Sequence, residues 1–341
     1  ASILLMRCNF NSDKGGKGNG IVLTENTINV SMIECIFTNE GTSTSENVIY
    51  SGSKGLLVDG CKFQFTNHLK SCRCIDFYSR CNATIRGSHF TNCRSGSPSE
   101  NDKAFNNAGA GIRYKPSNGD TLNEDLFIED CIFDFCEGSN GQNIFVSDIS
   151  RPVKLRNNLF WHTNGYGLTI LYSIASLTTK LENCYFEHNS NSKTDSGGSG
   201  IWIAKSRSHE STIIFDRCTF RNNTGTDDAA GGGLSVGASS SDSLRLITLT
   251  FDNCYFINNT GPNGGGLSIG VSKSVSIIDS FFDGNTATEN GGAIYLTLGN
   301  GAYSSVLIDS CRFARNVAYT GKGGAISASS RNSAINITSC E

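Results

Sequence analysis

The sequence predicts an all-β protein: one parallel β-helix, a solenoid of about eleven to twelve coils, running through residues 1–341 as a single continuous domain. Three observations carry this reading. A Cys-x-Phe tripeptide recurs along the chain, with its Phe positions about 26 to 43 residues apart and most often 26 or 27. A small glycine-rich cluster closed by Ile or Leu alternates with it. No window of about 12 residues shows the i, i+3, i+4, i+7 apolar spacing of an amphipathic helix.

The first element is the tripeptide. It stands at Cys8–Phe10, Cys35–Phe37, Cys61–Phe63, Cys131–Phe133, Cys184–Phe186, Cys218–Phe220, Cys254–Phe256 and Cys311–Phe313. Ser88–Phe90, Asn158–Phe160 and Ser280–Phe282 keep the Phe without the Cys, and a last copy starts at Cys340. Three residues before the Cys position lies an apolar residue, from Leu5 and Met32 to Ile308 and Ile337. The Ile-x-x-Cys-x-Phe run changes phase between Ile and Cys, as a one-residue corner would. The second element is the small-residue cluster, clearest at Gly231–Leu234, Gly264–Leu267, Gly291–Ile294 and Gly323–Ile326. After it, Ile294, Leu296 and Leu298 fall on one face of a strand. One repeat cannot bury its apolar face alone, whereas stacked repeats share a continuous core with neighbours about 4.8 Å away. A propeller blade needs about 40 residues and four strands, which fits the period badly.

The third element is a polar column. Asn189, Asn223, Asn259, Asn285 and Asn316 stand three residues after successive Phe residues, so their amides should hydrogen-bond from coil to coil. Earlier repeats put Asp13, Glu40, Thr66, Cys93, Cys136 and Thr163 there. Cys184, Cys218 and Cys254, with Phe186, Phe220 and Phe256, complete the expected interior ladder in this part of the chain.

Composition narrows the function. The chain has 38% apolar and 17% charged residues and a net charge of −3, which excludes nucleic-acid binding by bulk electrostatics. It holds 38 Gly, 44 Ser and 35 Asn against 4 Pro, yet the apolar periodicity argues against low-complexity coil. No apolar stretch reaches the roughly 18 residues of a membrane span. The chain opens inside a strand pattern with no secretory signal, so a processed product or a segment of a longer chain is expected.

Phe-x-x-Asn alternating with Gly-Gly-Ala-Ile resembles the repeat pair of the polymorphic outer membrane proteins, most sharply from Cys184 to Glu341. The resemblance implies a right-handed β-helix of the pectin-lyase-like type, displayed at a cell surface as an adhesin. The Cys-x-Phe ladder departs from that signature, and no C-terminal membrane barrel is present in these residues.

Fourteen cysteines lack structural zinc spacing and favour an oxidising, extracellular setting. Cys93 and Cys136 occupy one column in successive repeats, which predicts a Cys93–Cys136 bridge. Five N-glycosylation sequons, at Asn29, Asn82, Asn222, Asn258 and Asn336, lead us to expect covalent N-glycans and no other cofactor. Asn222 and Asn258 share one coil position, as do Asn29 and Asn82.

Pectin-lyase-like folds include polysaccharide lyases and hydrolases, so acids at matching coil positions matter. Glu182, Asp216 and Asp252 are consecutive in one column and could form an acidic or calcium-binding strip, although neighbouring arginines favour a solvated turn ladder. Arg113-Tyr-Lys115 has no companion motif, Asp227-Asp228 reads as turn chemistry, and His162 and His188 read as surface histidines. The expected function is a non-enzymatic secreted or cell-surface protein, an adhesin shaft or fibre subunit; the alternative is a carbohydrate-active enzyme with an unrecognised acidic site. Expected partners are the chain itself, by end-to-end coil stacking or through flanking β-helix, and host or matrix glycans or proteins, with no nucleic acid. The longest insertions, about 94–107 and 115–124, are candidate binding loops.

Overall fold

The computed structural model describes residues 2–11, 20–39, 46–65, 72–79, 81–95, 109–115, 125–149, 152–173, 176–191, 199–204, 210–225, 231–237, 247–270, 272–298, 304–330 and 333–341. They form a three-faced parallel solenoid. Sheet A has twelve strands, from Ser2–Met6 to Ala334–Thr338. Sheet B has eleven, from Asn9–Asn11 to Arg312–Ala314. Sheet C runs from Ile21–Leu23 to Ile326–Ser330. Each coil contributes one strand to sheet A, turns a corner into sheet B, and returns through sheet C. Of the insertions at about 94–107 and 115–124, residues 96–107 and 116–124 lie outside the described residues, as does Asp227-Asp228. Among the described residues no helix is long and apolar enough to cross a membrane.

The interior is a set of columns. Eleven Phe rings from Phe10 to Phe313 stack in one file with centroids 4.5 to 5.1 Å apart and nearly parallel planes. Beside them Met32, Val58, Ile85, Ile128, Leu181, Phe215, Phe251 and Ile277 are fully buried from sheet A.

The Cys column works through hydrogen bonds. Cys61, Cys131, Cys218, Cys254 and Cys311 point their thiols at main-chain carbonyls of the preceding coil, on Met32, Ile85, Leu181, Phe215 and Ile277. The Asn158 amide donates to the Ile128 carbonyl at 2.8 Å from the same position. Ser88, Asn158 and Ser280 accept from the backbone N–H of Cys61, Cys131 and Cys254 in the coil before. The Cys, Ser and Asn copies therefore share a compact donor–acceptor group. The thiols are buried, and burial pushes Cys131, Cys136 and Cys311 up to about 12.

The amides three residues after Phe form a continuous ladder. Asn223 Nδ2 donates to the Phe186 carbonyl at 2.8 Å and to Asn259 Oδ1 at 2.9 Å, and its backbone N–H donates to the same Oδ1 at 3.1 Å. Asn189, Asn259 and Asn285 repeat the arrangement, and Asn316 ends it by donating to Phe282. Every donor and acceptor of these buried amides meets a partner, which removes the penalty of a polar group in an apolar interior.

Two files of left-handed backbone turn the corners. One, between sheets A and B, holds Arg7, Glu34, Gly60, Gly87, Asp130, Asn157, Asn183, Arg217, Asn253, Asp279, Ser310 and Ser339. The other, two residues after Phe, holds Asn92, Phe135, His162, His188, Asn222, Asn258, Gly284 and Arg315. Their φ values lie between 48° and 64°. The sequence phase change locates the first file but gives no sign of the second. Each non-glycine there costs roughly 1–2 kcal/mol. In return its N–H stays in the ladder, as Asn183 donates to Asp216 and Asn258 to Asp283, both at 2.9 Å.

The disulfide differs from the expectation. Cys93 bonds to Cys74, 19 residues earlier and 6.6 Å away between Cα atoms, and Cys136 is a free buried thiol. Cys93 and Cys136 do lie on adjacent coils. Cys74, however, comes inward from sheet C of the preceding coil, the strand that pairs with Ile112–Tyr114, and meets Cys93 at the corner. The Cys136 thiol instead contacts the Phe90 carbonyl at 3.5 Å, the place an amide fills in later coils.

Candidate functional site

Three surface clusters could carry chemistry. The acidic strip lies on sheet A, with Glu182, Asp216 and Asp252 in register on adjacent coils. Cations pair two of its three acids: Lys180 Nζ stands 3.1 Å from Asp216 and 3.4 Å from Glu182, and Arg217 reaches Glu182 at 2.6 Å and Asp216 at 3.4 Å. The Lys180 ammonium is held above its ordinary range, chiefly by its hydrogen bond to Asp216. No group of His, Cys, Asp and Glu suited to a metal occurs among the described residues. Glu129 with Arg156 and Asp59 with Arg86 continue the alternating pattern. Together these pairs form a ladder of alternating charge on the surface of sheet A.

The second cluster, on the outer face of sheet C, places Tyr50, Asp76 and Arg113 in one register column. Asp76 is buried, with Arg73 Nη1 and Arg113 Nη1 each 3.4 Å from its carboxylate. Burial pulls the Arg73 guanidinium down from its ordinary range. In the sequence Arg113 stands in Arg113-Tyr-Lys115, a tripeptide without a companion motif; only the coil register shows Asp76 beside it.

The third cluster covers sheet B and its corner. His162 and His188 stand on successive coils, with ring centroids 5.6 Å apart. His162 also stacks on Phe135 at 4.6 Å and Trp161 at 4.3 Å, and its Nδ1 lies 3.5 Å from Asp134. The two histidines are therefore not isolated, and His162 has a carboxylate neighbour, which the residue spacing alone did not reveal. On the next coil Asn222 Nδ2 sits 3.3 Å from His188 Nε2, and Arg221 pairs with Glu187 at 2.8 Å.

Of the sequon asparagines, Asn29, Asn82, Asn258 and Asn336 are exposed and Asn222 is half-buried. Asn29 and Asn82 flank Gly55 in register, two coils apart on sheet A. Asn222 and Asn258 follow one another in the second corner file.

Comparison with known proteins agrees with this architecture. Residues 104–244 match the right-handed β-helix region, and residues 279–297 match the Chlamydia polymorphic membrane protein repeat. Among curated proteins none matches the chain by sequence. The crystal structure of the periplasmic alginate epimerase AlgG superimposes with a TM-score of 0.51 at 11% identity, covering 99% of this chain and 78% of that one. A point mutant of the same epimerase gives 0.42 over the same shares. The chain is thus a right-handed parallel β-helix carrying a polymorphic-membrane-protein-like repeat.

Proposed function

We propose that the chain is a non-enzymatic structural and adhesive β-helix, exposed at a cell surface or secreted. The observation that carries this reading is the pairing of Glu182 and Asp216 with Lys180 and Arg217, which makes the most regular acidic column of the chain a surface charge ladder. The Chlamydia polymorphic membrane protein repeat at residues 279–297 favours a surface role. A repetitive stack with in-register strands suits a shaft that holds binding surfaces away from a membrane, or a subunit that continues coil on coil with its own kind. The sequons, four of them exposed, are compatible with N-glycans in a secreted protein.

A second reading, a carbohydrate-active enzyme, draws on the buried Asp76 between Arg73 and Arg113 with Tyr50 beside it. One experiment separates the two. Intact protein, the triple variant Glu182→Gln/Asp216→Asn/Asp252→Asn, and Asp76→Asn are incubated with a panel of neutral and uronate polysaccharides, and new reducing ends, unsaturated products and epimer ratio are measured. The structural reading expects no turnover by any of them. Turnover abolished by Asp76→Asn would establish the enzyme.

A further inference from the structure

Of the five aromatic side chains exposed among the described residues, four lie on one strip of the surface and the fifth, Tyr319, lies after a strand of sheet C near the C-terminal coil. Between residues 29 and 306, the large apolar side chains exposed among the described residues are Ile132 at 38%, Phe135 at 53%, Trp161 at 37%, Tyr185 at 44% and Tyr255 at 43%. All five lie on the outside of sheet B or its corner. Ile132, Leu159, Tyr185, Thr219, Tyr255 and Phe281 form one outward register column. Trp161 stands beside it in the next outward column, between Asp134 and Glu187. The corresponding positions of earlier coils are Asn9, Ile36, Lys62 and His89, with no aromatic ring but the imidazole. The strip covers six successive strands, so it is about 24 Å long and only one or two side chains wide.

We infer that this strip binds a neutral, linear oligosaccharide laid along the axis of the solenoid. The inference rests on the adhesive reading above and names its ligand. Rigid rings with one exposed face offer large contact area at little entropic cost, and the C–H face of a sugar ring is their natural partner. Polar groups at the margin supply the hydrogen bonds that orient such a chain: the Tyr185 and Tyr255 hydroxyls, the Trp161 indole N–H, His188 and Arg221. The charge pattern selects against a polyanion. Glu187 is paired with Arg221, Asp283 with Arg315, Asp134 stands against His162, and Arg312 lies over the Phe281 ring at 5.7 Å. Arg315 holds the Asp283 carboxyl below its ordinary range, so that acid stays ionised and matched. Carboxylates thus pair Arg221 and Arg315, and among the described residues the strip presents no continuous cationic track for a uronate chain. A folded protein partner fits poorly, because a stable interface buries about 800 Å² a side over a broad patch.

The test uses the whole chain. Hexamers of β-1,4-linked N-acetylglucosamine, β-1,4-linked glucose and β-1,4-linked mannuronate are titrated by calorimetry and by tryptophan fluorescence. Trp161 and Trp202 are the two tryptophans, and Trp202 is buried. A neutral hexamer should bind and perturb the fluorescence. Trp161→Ala and Tyr185→Ala should each weaken binding roughly tenfold or more, with Glu182→Gln unchanged. Should Trp161→Ala disturb the fold by circular dichroism, Tyr185→Ala and Tyr255→Ala carry the test. Binding that ignores these substitutions, tighter binding of the mannuronate hexamer, or no neutral hexamer bound would overturn the inference. If no hexamer binds and the protein still adheres to cells, the ligand assignment falls and the adhesive reading stands; loss of both removes both.

Discussion

Coils from Cys184 onward and coils between Phe63 and Phe160 solve the same problem by different means. In the later region an unbroken file of amides links Asn189 to Asn316, and the side chains of Asn189, Asn223, Asn259 and Asn285 each bond to the coil before and to the coil after. In the earlier region the same file contains Cys93, Cys136 and Thr163. One is tied sideways to Cys74, one contacts a carbonyl through its thiol, and one donates its backbone N–H to Asn189 at 3.1 Å. The amide file is cooperative and propagates along the axis. The thiol file consists of separate local solutions. The difference explains why the repeat is sharp where the amides are continuous, and why the long insertions occur where each coil is pinned independently.

The largest expected effect comes from interrupting the amide file at its centre. Asn259→Ala removes the acceptor of the Asn223 N–H and Nδ2 and the donor to the Phe220 carbonyl, all buried. At roughly 1–3 kcal/mol for each orphaned buried group, the variant should lose about 4 kcal/mol of stability in urea titration. Cys136→Ala, at the equivalent place in the earlier region, loses one thiol contact and should cost about 1 kcal/mol beyond the small cavity. Equal costs at the two positions would refute the distinction.

This contrast also marks what the residues disclosed before the structure. The period, the Phe file and the corner between Ile and Cys were legible because stacking repeats a chemical requirement at a fixed interval. The columns of Glu182, Asp216 and Asp252 were legible for the same reason. The Cys74–Cys93 bond was not, because it joins two different columns, one in sheet C and one at the corner after sheet B, and a repeat alignment encodes only contacts within a column. Nor was the second corner file, whose members range from Asn258 to Phe135 and Arg315 and share a backbone angle instead of a side chain. The aromatic strip escaped notice because outward positions are free to vary, so no repetition singles them out.

Opening the Cys74–Cys93 bond should be the next largest effect. It closes a loop of about 20 residues, for which chain entropy gives about 3 kcal/mol. A Cys74→Ala/Cys93→Ala variant should lose that amount, with the loss confined to amide protection in coils before Phe160. A non-reduced peptide map should show Cys74 joined to Cys93 and Cys136 unpaired; Cys136 joined to Cys93 would reverse the assignment.

The ladder thiols supply a pH-dependent probe of the same comparison. Burial pushes Cys131, Cys136 and Cys311 up to about 12, well above an unfolded thiol. A group whose folded value is raised contributes stability below its unfolded value of about 8.5, and that contribution fades as pH climbs from there toward the folded value. Alkylation of native protein at pH ~8, just below that unfolded value, should therefore proceed only through opening of the coils. Labelling at Cys131 and Cys136 should outpace labelling at Cys218 and Cys254 if the amide-linked region opens last. The opposite order would show that the disulfide, not the amide file, sets the more stable end.

The smallest effect tests whether the corners obey backbone energetics alone. Gly60 and Gly87 occupy the first corner file at φ +61° and +55°, where later coils use Asn157, Asn183 and Asn253. A Cβ at Gly87 would meet nothing closer than 3.8 Å, so a side chain has room and only the left-handed angle opposes it. Gly87→Ala should therefore cost about 1 kcal/mol. Gly87→Asn should cost less, since asparagine tolerates this region, and its amide can extend the surface file in which Asn157 donates to Asp130 at 2.9 Å and Asn183 to Asn157 at 3.2 Å. Paired urea midpoints of the two variants decide the matter. If asparagine were no better than alanine, the corner asparagines of the later region would owe their place to something other than backbone angle and side-chain stacking.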